Sequence, residues 1–289
     1  MSAHATVTGG RRYPGRLTPG RIRAFRRTVY GHYRAHGRHD LPWRHTSDPY
    51  RIFVSEVMLQ QTQVPRVTAK YREFTQRFPS WRALAGASLA DVLAVWQGLG
   101  YNRRARFLRE AARAVVREYG GRLPREPEAL QRLPGIGPAT AASIAAFAFD
   151  RPTVFIETNV RSVFIHHFFP GWPAVSDDEV RPLVEQTLDR RSPRRWYSAL
   201  MDYGTGLRKR VANPSRRSSH HVRQSRFEGS DRQARGRVLR AVLARPGLGV
   251  AALRKATGVS GARFRRVLTG LCDDGMVACR EGRVRVAVS

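Results

Sequence analysis

The chain has 289 residues, 42% of them hydrophobic, and carries 52 Lys and Arg against 22 Asp and Glu, a formal net charge of +30. Such a charge calls for a polyanionic partner, nucleic acid before membrane, and leaves the fold open. The longest apolar run, Ala141–Phe149, is too short to span a bilayer, and the polar, Gly- and Pro-bearing start lacks the apolar stretch of a secretory signal. Two cysteines, Cys272 and Cys279, exclude a disulfide framework and a four-cysteine zinc or iron–sulfur site. A reducing cytoplasm is the expected setting, on the nucleoid if the source is bacterial. The cations are nearly all Arg, the lysines being Lys70, Lys209 and Lys255; the guanidinium suits bidentate phosphate contact.

In chain order, residues 1–20 read as a disordered basic arm. Ile22, Phe25, Val29 and Tyr33 recur at helical spacing. Helices follow over 50–61 and 64–78, broken near Pro65. Ser88 caps a helix through Trp96 that Gly98 and Gly100 stop. A long helix runs from about Arg103 to Tyr119. Leu133-Pro134-Gly135-Ile136-Gly137 is a tight turn, and the apolar helix after it, to Phe149, should be buried. Helices over 158–169, 177–188 and 194–207 complete a helical domain spanning 21–207.

Residues 208–230 read as a basic linker or loop; nine cations meet two acids over 208–235. A solvated tether and direct DNA contact are both compatible with it. A separate small domain is expected over 231–289, with three helices and two short strands around Glu281-Gly282. That order resembles a winged helix-turn-helix, in which the third helix presents Arg263, Arg265 and Arg266 to DNA; a packing or protein-interaction module is the alternative. Cys272 and Cys279 are expected as buried packing residues.

The turn at 133–137 has a mechanism. The glycines let the backbone take positive φ and approach a ligand closely, and the next helix offers unpaired N–H groups and a positive dipole end. Together they cradle a phosphate regardless of base sequence. Leu133, Gly135, Ile136, Gly137 and Thr140 are therefore candidate DNA-binding residues, with a monovalent cation conceivable at the hairpin.

Leu41-Pro42-Trp43-Arg44, the string Ser55-Glu56-Val57-Met58-Leu59-Gln60-Gln61-Thr62-Gln63-Val64, Trp96-Gln97-Gly98-Leu99-Gly100-Tyr101, the 103–108 stretch, Leu133–Gly137 and Phe155-Ile156-Glu157-Thr158-Asn159-Val160-Arg161 together resemble the helix-hairpin-helix DNA glycosylases, specifically the MutY adenine glycosylase branch. The resemblance covers about residues 24–207. It implies an all-α fold of two helical subdomains, double-stranded DNA as partner, base flipping and hydrolysis of an N-glycosidic bond by a monomer.

Excision needs a proton for the leaving base and a carboxylate to face the developing oxocarbenium charge. Glu56 matches the family's general acid, and its apolar neighbours Val54, Val57, Met58 and Leu59 favour the protonated form. Glu157 falls where the family usually has Asp, at a helix start whose dipole favours the ionised form; its alternative role is a helix cap. Gln61 matches the residue that wedges into the duplex, and Tyr101 and Arg103 lie beside the pocket in the family pattern, suited to stacking and phosphate contact. Trp43 and Trp96 are expected in the core, and Asn159 as a helix cap.

The Schiff-base lysine of the bifunctional relatives is Ala139 here, so a monofunctional enzyme without cofactor is expected. The family's four cluster cysteines, just after the stretch corresponding to 201–207, are missing, as is its Nudix-like 8-oxoguanine reader. The expected substrate is adenine in A·G or A·8-oxoguanine mispairs. A uracil, thymine or damaged-base glycosylase, and an inactive DNA-binding or regulatory protein, remain alternatives.

Overall fold

A computed structural model of the chain describes residues 14–222 and 226–288, and the backbone alone at 7–8 and 11–12. The helices are α1 (Pro19–His36), α2 (Pro49–Leu59), α3 (Val64–Arg77), α4 (Trp81–Gly86), α5 (Leu89–Trp96), α6 (Arg103–Glu118), α7 (Pro127–Leu130), α8 (Pro138–Phe149), α9 (Thr158–Phe168), α10 (Asp177–Thr187), α11 (Pro193–Arg210), α12 (Asp231–Ala244), α13 (Val250–Thr257) and α14 (Gly261–Asp273). Short strands are β1 (Val7–Thr8), β2 (Arg11–Arg12), β3 (Leu248–Gly249), β4 (Val277–Arg280) and β5 (Arg283–Val286). No helix among the described residues is long and apolar enough to cross a membrane. The chain forms two compact units, and both are discontinuous in sequence: residues 1–47, 125–128 and 137–223 make the first, 48–124, 129–136 and 224–289 the second.

The first unit packs α1, α9, α10 and α11 around one core. Phe25 of α1 meets Phe164, Phe168 and Trp196 edge-on at 5.3, 4.9 and 5.9 Å, the geometry that the ring quadrupoles favour. The disordered arm expected over 1–20 ends sooner than its composition suggests. Leu17 is buried in this core, its amide donates to Gln186 Oε1, and Thr18 caps α1, which opens on Pro19. The rest of that expectation, apart from an antiparallel backbone pairing of β1 with β2, lies outside the described residues.

One buried carboxylate ties three parts of this unit together. Asp202 of α11 accepts from Arg38 Nε at 2.6 Å and from Arg44 Nη1 and Nη2 at 2.6 and 3.0 Å. Burial alone would raise its pKa, but the two guanidinium groups outweigh it and hold the carboxyl below its ordinary range. A depressed folded pKa contributes stability above the unfolded value and loses it as pH falls through the folded one. Asp202→Ala is therefore expected to cost about 3 kcal/mol at pH 7. The deficit should shrink toward pH 3 in urea titrations; an equal deficit at both pH values would refute the ion-pair account.

The 208–230 stretch is not a solvated tether at its start. Helix α11 continues through Arg210, a 3₁₀ turn covers Pro214–Arg217, and Pro214, Ser215 and Ser218 are buried. Arg217 Nη1 donates to the carbonyls of Phe169 and Trp172, and Nη2 to Ile165, closing the C-terminal end of α9. Composition alone hides this, because the guanidinium acts here as a helix cap rather than a surface charge.

In the second unit, α2 buries Tyr50 and Phe53 against Trp81, with ring centroids 5.0 and 5.1 Å away. Ser88 caps α5 by accepting from the Asp91 amide, and Trp96 is buried in this unit as Trp43 is in the first. The break expected near Pro65 is present, α2 ending at Leu59 and α3 opening at Val64, with Pro65 in its first turn, where its missing N–H costs nothing. Helix α4 has only six residues, too few to show a period.

The C-terminal segment of this unit sets α12, α13 and α14 against a sheet ordered β3-β5-β4 with antiparallel neighbours. The third strand, β3, was not legible in the sequence. Val238, Leu253, Phe264, Leu271 and Val284 are buried within the segment. Glu281 and Gly282 both have positive φ, as a two-residue hairpin turn requires. Against expectation, Cys279 is exposed and Cys272 only partly buried. The segment is joined to α6 through Asp274, which takes ion pairs from Arg103 and Arg235 and whose carbonyl accepts from Arg106 at 2.6 Å.

Candidate active site and nucleic-acid interface

Glu56 lies in the second half of α2, half-buried, between the buried Val54, Ser55, Val57 and Met58. The helix ends three residues later, and the chain turns sharply through Gln61, whose φ is +53°. A non-glycine residue in that region is costly and is held by its surroundings. Gln61 is exposed at the turn. A second left-handed residue, Tyr101 at φ +47°, ends the loop before α6, and its side chain is 37% exposed.

Both loops are held by one residue, Arg104. Its guanidinium donates to the carbonyls of Val57, Met58 and Gln60 at 2.9, 2.9 and 2.5 Å, to the Thr62 hydroxyl at 2.9 Å, and to the carbonyls of Leu99 and Gly100 at 3.3 and 3.1 Å. It also lies 5.3 Å from the Trp96 ring and 5.6 Å from the Tyr101 ring, within cation–π range. Burial pushes its pKa down to about 10, with Tyr101 pulling it back up, so the cation persists at neutral pH. A sequence signal existed: Arg104 shares the stripe 104, 108, 111 and 115 of α6 with Leu108, Ala111 and Val115, all buried, and a cation on an apolar stripe needs acceptors.

Tyr101 and Arg103 also meet the C-terminal segment. Arg232 Nη1 donates to the Tyr101 hydroxyl at 3.2 Å, and Arg103 pairs with Asp274 at 3.4 Å. Of the three arginines expected to face DNA from α14, Arg263 and Arg266 are paired with Asp231 at 2.8 and 3.2 Å, while Arg265 is exposed.

In the hairpin turn, Leu133 and Ile136 are buried, so what they can offer DNA is main chain and not side chain. Gly135 is required twice over: its φ is +76°, and a Cβ there would stand 2.7 Å from Phe107 Cβ. Gly137, against expectation, has an ordinary φ of −86°, because it is the extended N-cap of α8; it has no side chain to occupy the helix amides, and Pro138 follows as a first-turn residue. Thr140 is half-buried in the first turn of α8. The exposed start of a long helix preceded by glycine suits an anion.

Glu157, in the first unit, is the N-cap of α9, a place the sequence also offered to Asn159. Its Oε1 accepts the amides of Asn159 and Val160 at 2.7 and 3.0 Å, and Oε2 the Asn159 side-chain amide at 3.2 Å. Burial pushes the Glu157 carboxyl up, with the two helix amides, the Asn159 side chain and Arg208 pulling it down. The net direction is opposite to the one expected from the helix dipole alone, because desolvation of the charged form outweighs it. The placement depends on Gly204 of α11, where a Cβ would stand 2.5 Å from the Asn159 carbonyl oxygen. Glu157 and Glu56 belong to different units.

Residues 54–188 match the profile of the HhH-GPD superfamily of base excision DNA repair proteins. The chain is 38% identical over 230 residues to an adenine DNA glycosylase of Rattus norvegicus, covering 75% of this chain and 44% of that protein. It is 35% identical over 235 residues to an adenine DNA glycosylase of Mycolicibacterium smegmatis, covering 71% of this chain and 75% of that protein. Among solved structures, a thermostable thymine-DNA glycosylase superposes with a TM-score of 0.58 at 28% identity over 63% of this chain and 85% of its own. The chain belongs to the HhH-GPD superfamily of base excision DNA repair proteins, and among these it is MutY-like. It spans less than half the length of the rat relative.

Proposed function

We propose that this DNA glycosylase is monofunctional and hydrolyses the N-glycosidic bond of adenine flipped out of duplex DNA, in A·G or A·8-oxoguanine pairs. The observation that carries the reading is Glu56, a half-buried carboxyl on a helix whose end Arg104 fastens, inside the family-matched segment. Glu56 gives its proton to the leaving base as the C–N bond breaks and the bonding pair departs with the base. Glu157 in its ionised form, which the helix amides, Asn159 and Arg208 favour, faces the positive charge left on the sugar, and water adds at C1′ while its proton passes to the Glu56 carboxylate, restoring the acid. Gln61 enters the space of the extruded nucleotide, Tyr101 offers a stacking face, and Arg103 and the main chain of 133–137 with Thr140 bind phosphates. Likeness to the two adenine DNA glycosylases supports adenine as substrate. Ala139 supports the monofunctional assignment, since no lysine stands in the hairpin.

We read the C-terminal segment as a winged helix-turn-helix, with α14 as recognition helix and β4–β5 as wing. It meets DNA through Arg265, and through Arg263 and Arg266 once they release Asp231. The chemistry described needs no cofactor; the hairpin carbonyls are the groups a monovalent cation would take. The residues present do not fit the family's iron–sulfur cluster. After α11 the chain offers serines and arginines, and its two cysteines stand 3.6 Å apart in the C-terminal segment instead.

Likeness to the thymine-DNA glycosylase structure favours a second reading, a pyrimidine opposite guanine. A panel of duplexes separates them: adenine opposite guanine or 8-oxoguanine, and uracil, thymine and hypoxanthine in mispairs, each assayed with and without alkali. Adenine release with strand breaks only after alkali is expected. Breaks without alkali would exclude the monofunctional assignment, thymine release would shift it to the second reading, and binding without release of any base would leave a DNA-binding protein.

A further inference from the structure

We propose that Arg208, in the last turn of α11, is a positioning residue for Glu157, acting through the side-chain amide of Asn159. The proposal rests on the reading of Glu157 as the carboxylate that faces the sugar. Arg208 Nη2 donates to Asn159 Oδ1 at 2.6 Å, and the Thr205 hydroxyl donates to the same oxygen at 3.4 Å. A guanidinium has donors only. It therefore fixes which end of the amide faces which way: the oxygen meets Arg208, and the NH₂ is left to donate to Glu157 Oε2 at 3.2 Å. Without Arg208 the amide oxygen keeps only the 3.4 Å contact with Thr205, whose hydroxyl donates at 2.9 Å to the Met201 carbonyl, so the amide can turn and its oxygen then confronts the carboxylate.

The arginine also supplies charge. Arg208 is the cation that acts on Glu157, drawing its carboxyl down against burial. Three other charged groups of these elements pair elsewhere, while Lys209 and Arg210 follow Arg208 as exposed cations at the end of α11. Arg161 of α9 pairs with Asp177 of α10, Asp202 of α11 with Arg38 and Arg44, and Arg217 with the carbonyls at the far end of α9. The sequence marked Arg208 only as part of a basic run.

The test uses the full chain with Arg208→Met, Arg208→Lys, Asn159→Ala, the double variant Arg208→Met/Asn159→Ala, and Glu157→Gln. Single-turnover excision is followed from pH 4.5 to 9 at low and high salt. Arg208→Met is expected to slow excision about two- to fivefold at neutral pH, as suits an exposed charge. It should also move the acid limb of the pH profile upward, by less at high salt. Arg208→Lys should recover the limb in part, and the double variant should be no slower than Asn159→Ala, the sign of a shared route. An unmoved acid limb, or losses that multiply in the double variant, would overturn the proposal while an inert Glu157→Gln leaves the catalytic reading standing. A Glu157→Gln enzyme as fast as the parent would overturn that reading and the proposal together.

Discussion

Glu56→Gln is expected to lower single-turnover base excision by about 10²–10⁴-fold, the usual contribution of a positioned acid, with duplex affinity retained. Gln keeps the shape of the side chain and its place on α2 but has no acidic proton. The neighbours that hold the helix, Phe53, Val54, Val57 and Met58, are buried and untouched by the change, so the fold should survive. Rates in one turnover, with enzyme in excess, isolate the chemistry from product release. A variant that excises at the parental rate would remove Glu56 from the mechanism. Loss of binding in parallel with rate would instead make it a structural residue.

Arg104→Met is expected to destabilise the chain strongly and to slow excision beyond that loss. Methionine fills part of the volume but takes the guanidinium donor from the carbonyls of Val57, Met58, Gln60, Leu99 and Gly100; Gly100 keeps Trp96 Nε1, and Gln60 and Leu99 share the Thr62 hydroxyl. Each stranded buried acceptor costs about 1–3 kcal/mol; relaxation and water entry would hold the total to about 3–5 kcal/mol. Gln61 and Tyr101, the two non-glycine residues held at positive φ beside it, are then free to leave those conformations. Excision should consequently fall further than the loss of folded protein explains. Arg104→Lys should recover little, because an ammonium is a point donor and does not span two loops. Urea unfolding together with rates measured well below the unfolding transition checks both parts. A variant as stable as the parent would show that the six contacts are dispensable.

The glycosylase string around Glu56, the hairpin turn and the Glu281-Gly282 turn were all legible from residue order, since each is a short contiguous pattern whose backbone demand is local. So was the burial of Trp96 and of the middle of α8, residues 141–146, which follows from periodicity and apolar character, while the two ends of α8 are more open. The linker expected over 208–230 failed at its start for the opposite reason. A run of arginines looks solvated until the carbonyls they reach are known, and Arg217 reaches three that lie roughly fifty residues back along the chain.

By itself, the sequence determined the superfamily, the net positive charge and the candidate acid Glu56, while the clash with Phe107 that makes glycine necessary at 135 came from the fold. Tertiary structure alone decided what the arginines do. Arg104, Arg44 and Arg217 are spent on carbonyls and a carboxylate inside the fold, Arg263 and Arg266 on Asp231, and Arg208 on the amide beside Glu157. The physical reason is that a guanidinium on a long side chain takes its role from whichever acceptors the folded chain brings within about 3 Å, and those acceptors come from distant segments that no local pattern encodes. The upward shift of the Glu157 carboxyl has the same origin, because its desolvation exists only once α9 and α11 have closed against each other around Gly204.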